Sequence, residues 1–175
     1  MQGTAENIVL IGMAGVGKST IGVLLAKALH RNFVDTDIVV QSAEGRCLQE
    51  IMDEGGKEAF QAVEERHVLS IHILGAVIAT GGSVVYSNMA MAHLSRNAVT
   101  VYLKLPLDQL EKRVENVDTR GLAMEAGQSF EDVYHERLPL YERYADVTID
   151  CEGLNHDEVV VRVVASLAGK LRSTG

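Results

Sequence analysis

Apolar residues along this chain gather in short continuous runs, and between the runs they recur at helical spacing. Asn7–Ile11 is one such run, ending at a glycine-rich loop. Ser19–Leu29 follows, with Leu24, Leu25, Ala28 and Leu29 on a helical period. Phe33–Val34 predicts a second strand, stopped by Asp35-Thr36-Asp37. A charged helical stretch over residues 38–74 comes next, broken at Gly45 and at Gly55-Gly56. Ala76–Ala79 predicts a third strand, ended by Thr80-Gly81-Gly82. Ala98–Leu103 predicts a fourth, where Thr100 and Val101 favour β structure.

Leu107, Leu110, Val114 and Val117 then recur at i, i+3, i+7 and i+10, a helix face. Residues 118–128 lack periodicity and read as a mobile loop. Ser129 with Asp132 predicts a capping box opening a helix to about Tyr144, bent at Pro139. Val147–Ile149 is a fifth strand. Asn155 with Glu158 caps a last amphipathic helix through Val160, Val163, Val164, Leu167 and Leu171. Apolar strands each followed by a helix predict an α/β fold in three layers, a five-stranded parallel sheet with helices on both faces. No repeat or linker divides it, so residues 1–175 are expected to form one domain.

Composition narrows the function classes. The 175 residues carry 16 Lys+Arg against 24 Asp+Glu, a net charge of −8, which argues against a nucleic-acid partner bound through a basic face. With 47% hydrophobic residues the chain is too apolar for disorder. The apolar runs are far shorter than the ~20 residues of a membrane span, and no signal peptide is readable. A monomer in the cytosol, with no membrane partner, is the expectation. Cys47 and Cys151 show no CxxC spacing and are expected to be reduced packing residues.

The first candidate chemistry lies after the first strand. Gly12-Met13-Ala14-Gly15-Val16-Gly17-Lys18-Ser19 satisfies GxxxxGK[ST], with Thr20 following, between a predicted strand and a predicted helix. Its glycines let successive N–H groups, those of Ala14 and Val16 among them, face a phosphate chain, and the helix N-terminus adds partial positive charge. Lys18 is suited to the β- and γ-phosphates of ATP, and the Ser19 hydroxyl to Mg²⁺. No guanine-reading NKxD is present. The DxxG match at Asp53-Glu54-Gly55-Gly56 follows a helical stretch rather than a strand, so a small-molecule kinase fits better than a GTPase.

Asp35 and Asp37 form the second candidate site. Strand alternation would send both side chains to one side, where one carboxylate could hold Mg²⁺ water and the other take a proton from an attacking hydroxyl. An N-cap plus a solvated aspartate is the alternative.

Together with Gly45-Arg46, Ala59-Phe60, Thr80-Gly81-Gly82, Arg120 and Glu136-Arg137-Leu138-Pro139-Leu140-Tyr141, these segments resemble the shikimate kinase family over about residues 7–150. The resemblance implies a fold like that of nucleoside monophosphate kinases, with a substrate-binding helical segment at 38–74 and a lid at 116–129. It implies that Asp37 holds the acceptor hydroxyl and serves as base, and that Asp35 lies near the Mg²⁺ shell. On the same resemblance Gly81 and Gly82 are expected to contact the acceptor, and Arg137 to pair with its carboxylate. The resemblance likewise implies that Arg120 closes over the phosphates and that Arg113 lies near the adenine.

Three positions depart from the family pattern. Gln61 follows Phe60 where an arginine is usual, Ser83 stands where a third glycine is usual, and Gly121-Leu122-Ala123 follows the lid arginine. Glutamine cannot supply a bidentate charged contact, and a serine at 83 would be strained wherever φ must be positive. Shikimate is the first expectation for the acceptor. Homoserine or another small hydroxy acid is the alternative, with its ammonium met by Gln61 and Ser83. A nucleotide-binding regulator without phosphotransfer is a third reading. The six histidines show no metal-ligand spacing. Glu64-Glu65-Arg66 reads as a solvated helix face, although Glu64 could orient a pocket residue.

Overall fold

The computed structural model describes residues 6–114, 123–125 and 127–171. The run Asn7–Ile11 forms β1, buried at every position. Since alternate side chains point to opposite faces, this burial requires cover on both sides of the sheet. β2 (Asn32–Asp35), β3 (Ala76–Ala79), β4 (Ala98–Lys104) and β5 (Val147–Asp150) complete a five-stranded sheet of order β2-β3-β1-β4-β5. Every pairing is parallel, with Val9 opposite Ile78 on one side and Thr100 on the other.

The helices are α1 (Lys18–Leu29), α2 (Thr36–Glu44), α3 (Leu48–Leu69), α4 (Asn88–Ser95), α5 (Leu107–Val114), α6 (Phe130–Tyr144) and α7 (His156–Leu171). α1 packs on α7, and α3 on α4. The main core joins the strands to Ile21, Leu25, Met91, Leu110, Val133, Tyr141 and Val163. A smaller cluster of Val40, Leu48, Ile51, Met52 and Phe60 fills the α2–α3 unit and takes in Ala123. No helix of the described residues is long and apolar enough to cross a membrane.

Local signals acted as expected at several ends. Ser129 and Asp132 cap α6 reciprocally, and so do Asn155 and Glu158 at α7. Gly45 ends α2 in the left-handed region at φ 65°, and Gly56 (φ 73°, ψ −175°) interrupts α3.

Other expectations are corrected. The helical stretch stops at Leu69 rather than residue 74, because the chain must return to the start of β3. Ile71 and Ile73 pack on the core from this non-helical return. Cys47 is exposed at the N-cap of α3 rather than packed, whereas Cys151 is buried, and both are free. Val117, Arg120, Gly121 and Leu122, and with them most of the expected lid, lie outside the described residues.

At the rim where the strands begin, the Asn7 side chain ties neighbouring segments together. Its Nδ2 donates to the Ile73 carbonyl at 2.8 Å, and its Oδ1 accepts from Ala76 N at 2.9 Å. The opposite rim, where the strands end, carries the glycine loops. In parallel α/β sheets that is where ligands bind.

Candidate active site

The loop after β1 winds through Gly12, Gly15 and Gly17, at φ 146°, 87° and 101°. At Gly12 a side chain would also collide with the Leu103 carbonyl oxygen, 2.6 Å from the Cβ position. Lys18 is buried, and its Nζ donates to the carbonyls of Gly12 (2.6 Å) and Met13 (2.9 Å). Burial lowers its pKa to about 8, against the opposing pull of Asp37. Arg113, at the end of α5, donates to the Val16 carbonyl at 3.2 Å and so flanks the same loop from outside. Ser19 and Thr20 open α1 at its exposed start.

The acidic pair is not arranged by strand alternation. β2 ends at Asp35, which caps α2: its Oδ1 accepts from Asp37 N at 2.9 Å and Ile38 N at 3.4 Å. Asp35 Oδ2 accepts from Ser19 Oγ at 2.6 Å. The capping alternative thus holds for Asp35, but Asp37 is not left in solvent. Burial raises its carboxyl to about pH 6, with the Asp35 charge adding to the shift and Lys18 opposing it. Ser19 and Asp35 supply a hydroxyl and a carboxylate at one point beside the loop. That donor set fits Mg²⁺, which takes few protein oxygens and completes its shell with phosphate and water.

The third wall follows β3. Gly81 N donates to Thr36 Oγ1 at 2.9 Å, fastening the loop to α2. A Cβ on Gly81 would lie 2.4 Å from Glu64 Oε1 and 2.8 Å from Asp37 Oδ1, so glycine is required by close approach, not by φ. On Gly82 it would lie 3.0 Å from Arg137 Nη1 and 3.5 Å from Ala14 N, which sets the β3 loop against the phosphate loop. Arg137 is 1% exposed. Its Nε donates to Tyr86 Oη at 3.2 Å and its Nη2 to the Ala123 carbonyl at 2.9 Å. Tyr141, one turn further along α6, donates to the Gly82 carbonyl at 2.6 Å and stacks on Tyr102.

Ser83 sits at φ −90°, ψ −11°, where serine is unstrained, so the strain expected there is absent. Its buried Oγ donates to Glu64 Oε2 at 2.6 Å. Glu64 is therefore part of the pocket and not of a solvated face. Sequence carried a signal for this that the charged triplet obscured: Phe60, Glu64 and Val68 share one buried stripe of α3 at i, i+4 and i+8. Gln61 is half-buried one turn before Glu64. Thr36 and Tyr141 lie in segments that carry the family resemblance but have no role assigned by it, and no sequence pattern marks Tyr86.

A parallel sheet, a phosphate loop, and an acid and a buried arginine set against adjacent glycines of one wall define a P-loop kinase of the small-molecule type. Comparison with known proteins narrows this. The sequence model of the shikimate kinase family matches residues 14–168. The chain is 35% identical over 162 residues to a shikimate kinase of Thermodesulfovibrio yellowstonii, covering 91% of this chain and 93% of that one. It is 36% identical over 171 residues to one of Caldanaerobacter subterraneus, covering 94% and 99%. A shikimate kinase from Acinetobacter baumannii, solved in complex with shikimate, superposes with a TM-score of 0.86 at 26% identity over 95% of both chains. The chain belongs to the shikimate kinase family.

Proposed function

We infer that this protein transfers the γ-phosphoryl group of ATP to a hydroxyl of shikimate. One observation carries the reading at the site: Asp37 and Arg137 reach adjacent glycines of a single wall, opposite the phosphate loop. An acceptor bearing a hydroxyl at one end and a carboxylate at the other matches that polarity. Arg137 would pair with the carboxylate. Asp37 would accept the proton of the attacking hydroxyl. The N–H groups of residues 12–20 and the Lys18 ammonium would hold the phosphates and offset the charge that develops on transfer. Arg113 would flank the nucleotide at the loop. Mg²⁺, when bound at Ser19 and Asp35, neutralises phosphate charge. Arg120, from the lid, is proposed to add positive charge over the phosphates, and Gln61 to offer the acceptor a neutral hydrogen bond.

A coupled ADP-release assay against shikimate, homoserine and other small hydroxy acids tests the reading. Turnover is expected with shikimate. Turnover with homoserine alone would move the acceptor assignment. Tight ATP binding with no acceptor used would favour the regulator.

A further inference from the structure

The roles proposed so far leave one buried charged side chain without a task. Glu64 is 3% exposed, and its Oε2 is held by Ser83 Oγ. Its Oε1 is buried and has no hydrogen-bond partner among the described residues. Buried oxygens without partners are rare and costly, so one packed against the β3 loop beside Asp37 needs a reason. Its aim is fixed by Gly81: Glu64 Oε1 and Asp37 Oδ1 lie 2.4 and 2.8 Å from the same point in front of that glycine. Two carboxyl oxygens, brought by α3 and α2, thus converge where an acceptor would lie. The Arg137 guanidinium stands at the next glycine along.

The departures from the family pattern bear on the same oxygen. An arginine at position 61, one turn before Glu64 on the same helix face, would be placed to pair with it. Gln61 carries no charge. The serine at 83 grips the other carboxyl oxygen with a neutral hydroxyl instead. The carboxyl is therefore anchored through Oε2, while Oε1 is left without a hydrogen-bond partner among the described residues.

We propose that Glu64 determines acceptor specificity by accepting a hydrogen bond, through Oε1, from the acceptor hydroxyl neighbouring the one phosphorylated at Asp37, and that Ser83 positions it for this contact. The inference rests on the shikimate reading and deepens it. The wall would then read a vicinal diol at Gly81 and a carboxylate at Gly82. A mono-hydroxy acid would leave Oε1 unpaired.

The test is steady-state kinetics on wild type, Glu64→Ala, Glu64→Gln and Ser83→Gly, with shikimate and with its analogue lacking the adjacent hydroxyl. Glu64→Ala is expected to raise the KM for shikimate by about 10- to 100-fold, with the KM for ATP unchanged. For the deoxy analogue, wild type and Glu64→Ala should have the same KM. Ser83→Gly should raise the shikimate KM by a smaller factor and have no effect in the Glu64→Ala background. Equal losses on both acceptors, or a KM for ATP that moves in step, would overturn the contact while leaving the acceptor reading intact. A folded, ATP-binding wild type inert towards shikimate would overturn both. If Glu64→Ala does not fold, the Ser83→Gly arm decides on the same loss of selectivity between the two acceptors, while Glu64→Gln, which keeps an acceptor oxygen, should retain most of it.

Discussion

Ser19 Oγ donates to Asp35 Oδ2 at 2.6 Å, and this bond joins the start of α1 to the end of β2. Asp35 has two separable jobs here: its Oδ1 caps α2, and its charge serves the proposed Mg²⁺ position. Asp35→Asn keeps a capping oxygen and removes the charge. It should raise the Mg²⁺ concentration needed for half-maximal activity while leaving the melting temperature nearly unchanged. Asp35→Ala should show the same Mg²⁺ effect and also lose about 1 kcal/mol of stability from the cap. Identical Mg²⁺ titrations for wild type and Asp35→Asn would remove Asp35 from the metal position.

Asp37 must be ionised to take a proton, and its carboxyl is raised from 3.8 to about 6, chiefly by burial. Activity should therefore fall about tenfold per pH unit below pH ~6 in a kcat/KM profile for the acceptor. Asp37→Asn should lower kcat by about 100-fold or more with ATP binding kept. Glu64, raised to about 7, is already neutral where Asp37 titrates. Glu64→Gln should thus leave the acid limb where it is.

Glu64 also links pH to stability. Its pKa is raised from 4.5 to about 7, mainly by burial, with the Ser83 hydrogen bond opposing the shift. The folded state binds this proton more tightly than the unfolded one. The resulting stabilisation is full below pH 4.5 and is lost as pH rises through 7. Glu64→Gln should be increasingly stabilised relative to wild type between pH 5 and pH 8, by on the order of 3 kcal/mol at the upper end. Denaturant melts at both pH values measure this, and a constant difference would contradict it.

Arg137→Lys keeps the charge but gives up the planar fork that reaches Tyr86 and Ala123. A rise of about tenfold or more in the acceptor KM, with little change for ATP, is expected. If both KM values move together, the guanidinium serves the fold and not the acceptor.

Gly81→Ala would place a methyl group 2.4 Å from Glu64 Oε1 and 2.8 Å from Asp37 Oδ1. Both carboxyls would have to move, and a shift of about 1 Å can cost ~100-fold in rate. Gly82→Ala is crowded by Arg137 Nη1 at 3.0 Å, with Ala14 N and Tyr141 Oη at an ordinary contact distance of 3.5 Å, and should be milder. The reverse order of severity in kcat/KM would mean that the acceptor does not lie against Gly81.

What was legible in the sequence is what local chemistry decides. The apolar runs, the glycine loop and the reciprocal caps at Ser129 and Asn155 each involve residues a few positions apart, and each formed as read. The end of β2 was legible at Asp35-Thr36-Asp37, but the arrangement of the two carboxylates was not, because that segment suits either a continued strand or a cap. The Ser19 contact that anchors the cap comes from 16 positions away. Glu64 was misread because its environment is made by Ser83 and Gly81, outside its own helix. Tyr86 and Tyr141 became site residues through partners 51 and 59 positions distant, beyond the reach of any periodicity.

Asn7 stitches the rim of the sheet farthest from the glycine loops, holding Ile73 and Ala76 with one amide. Durability and selectivity are therefore written on opposite ends of the same strands. Asn7→Ala should lower the melting temperature yet leave the ranking of acceptors untouched. Selection for a new acceptor can redraw the loops after β2 and β3 without loosening the stitched end. The two traits can evolve, or be engineered, one at a time.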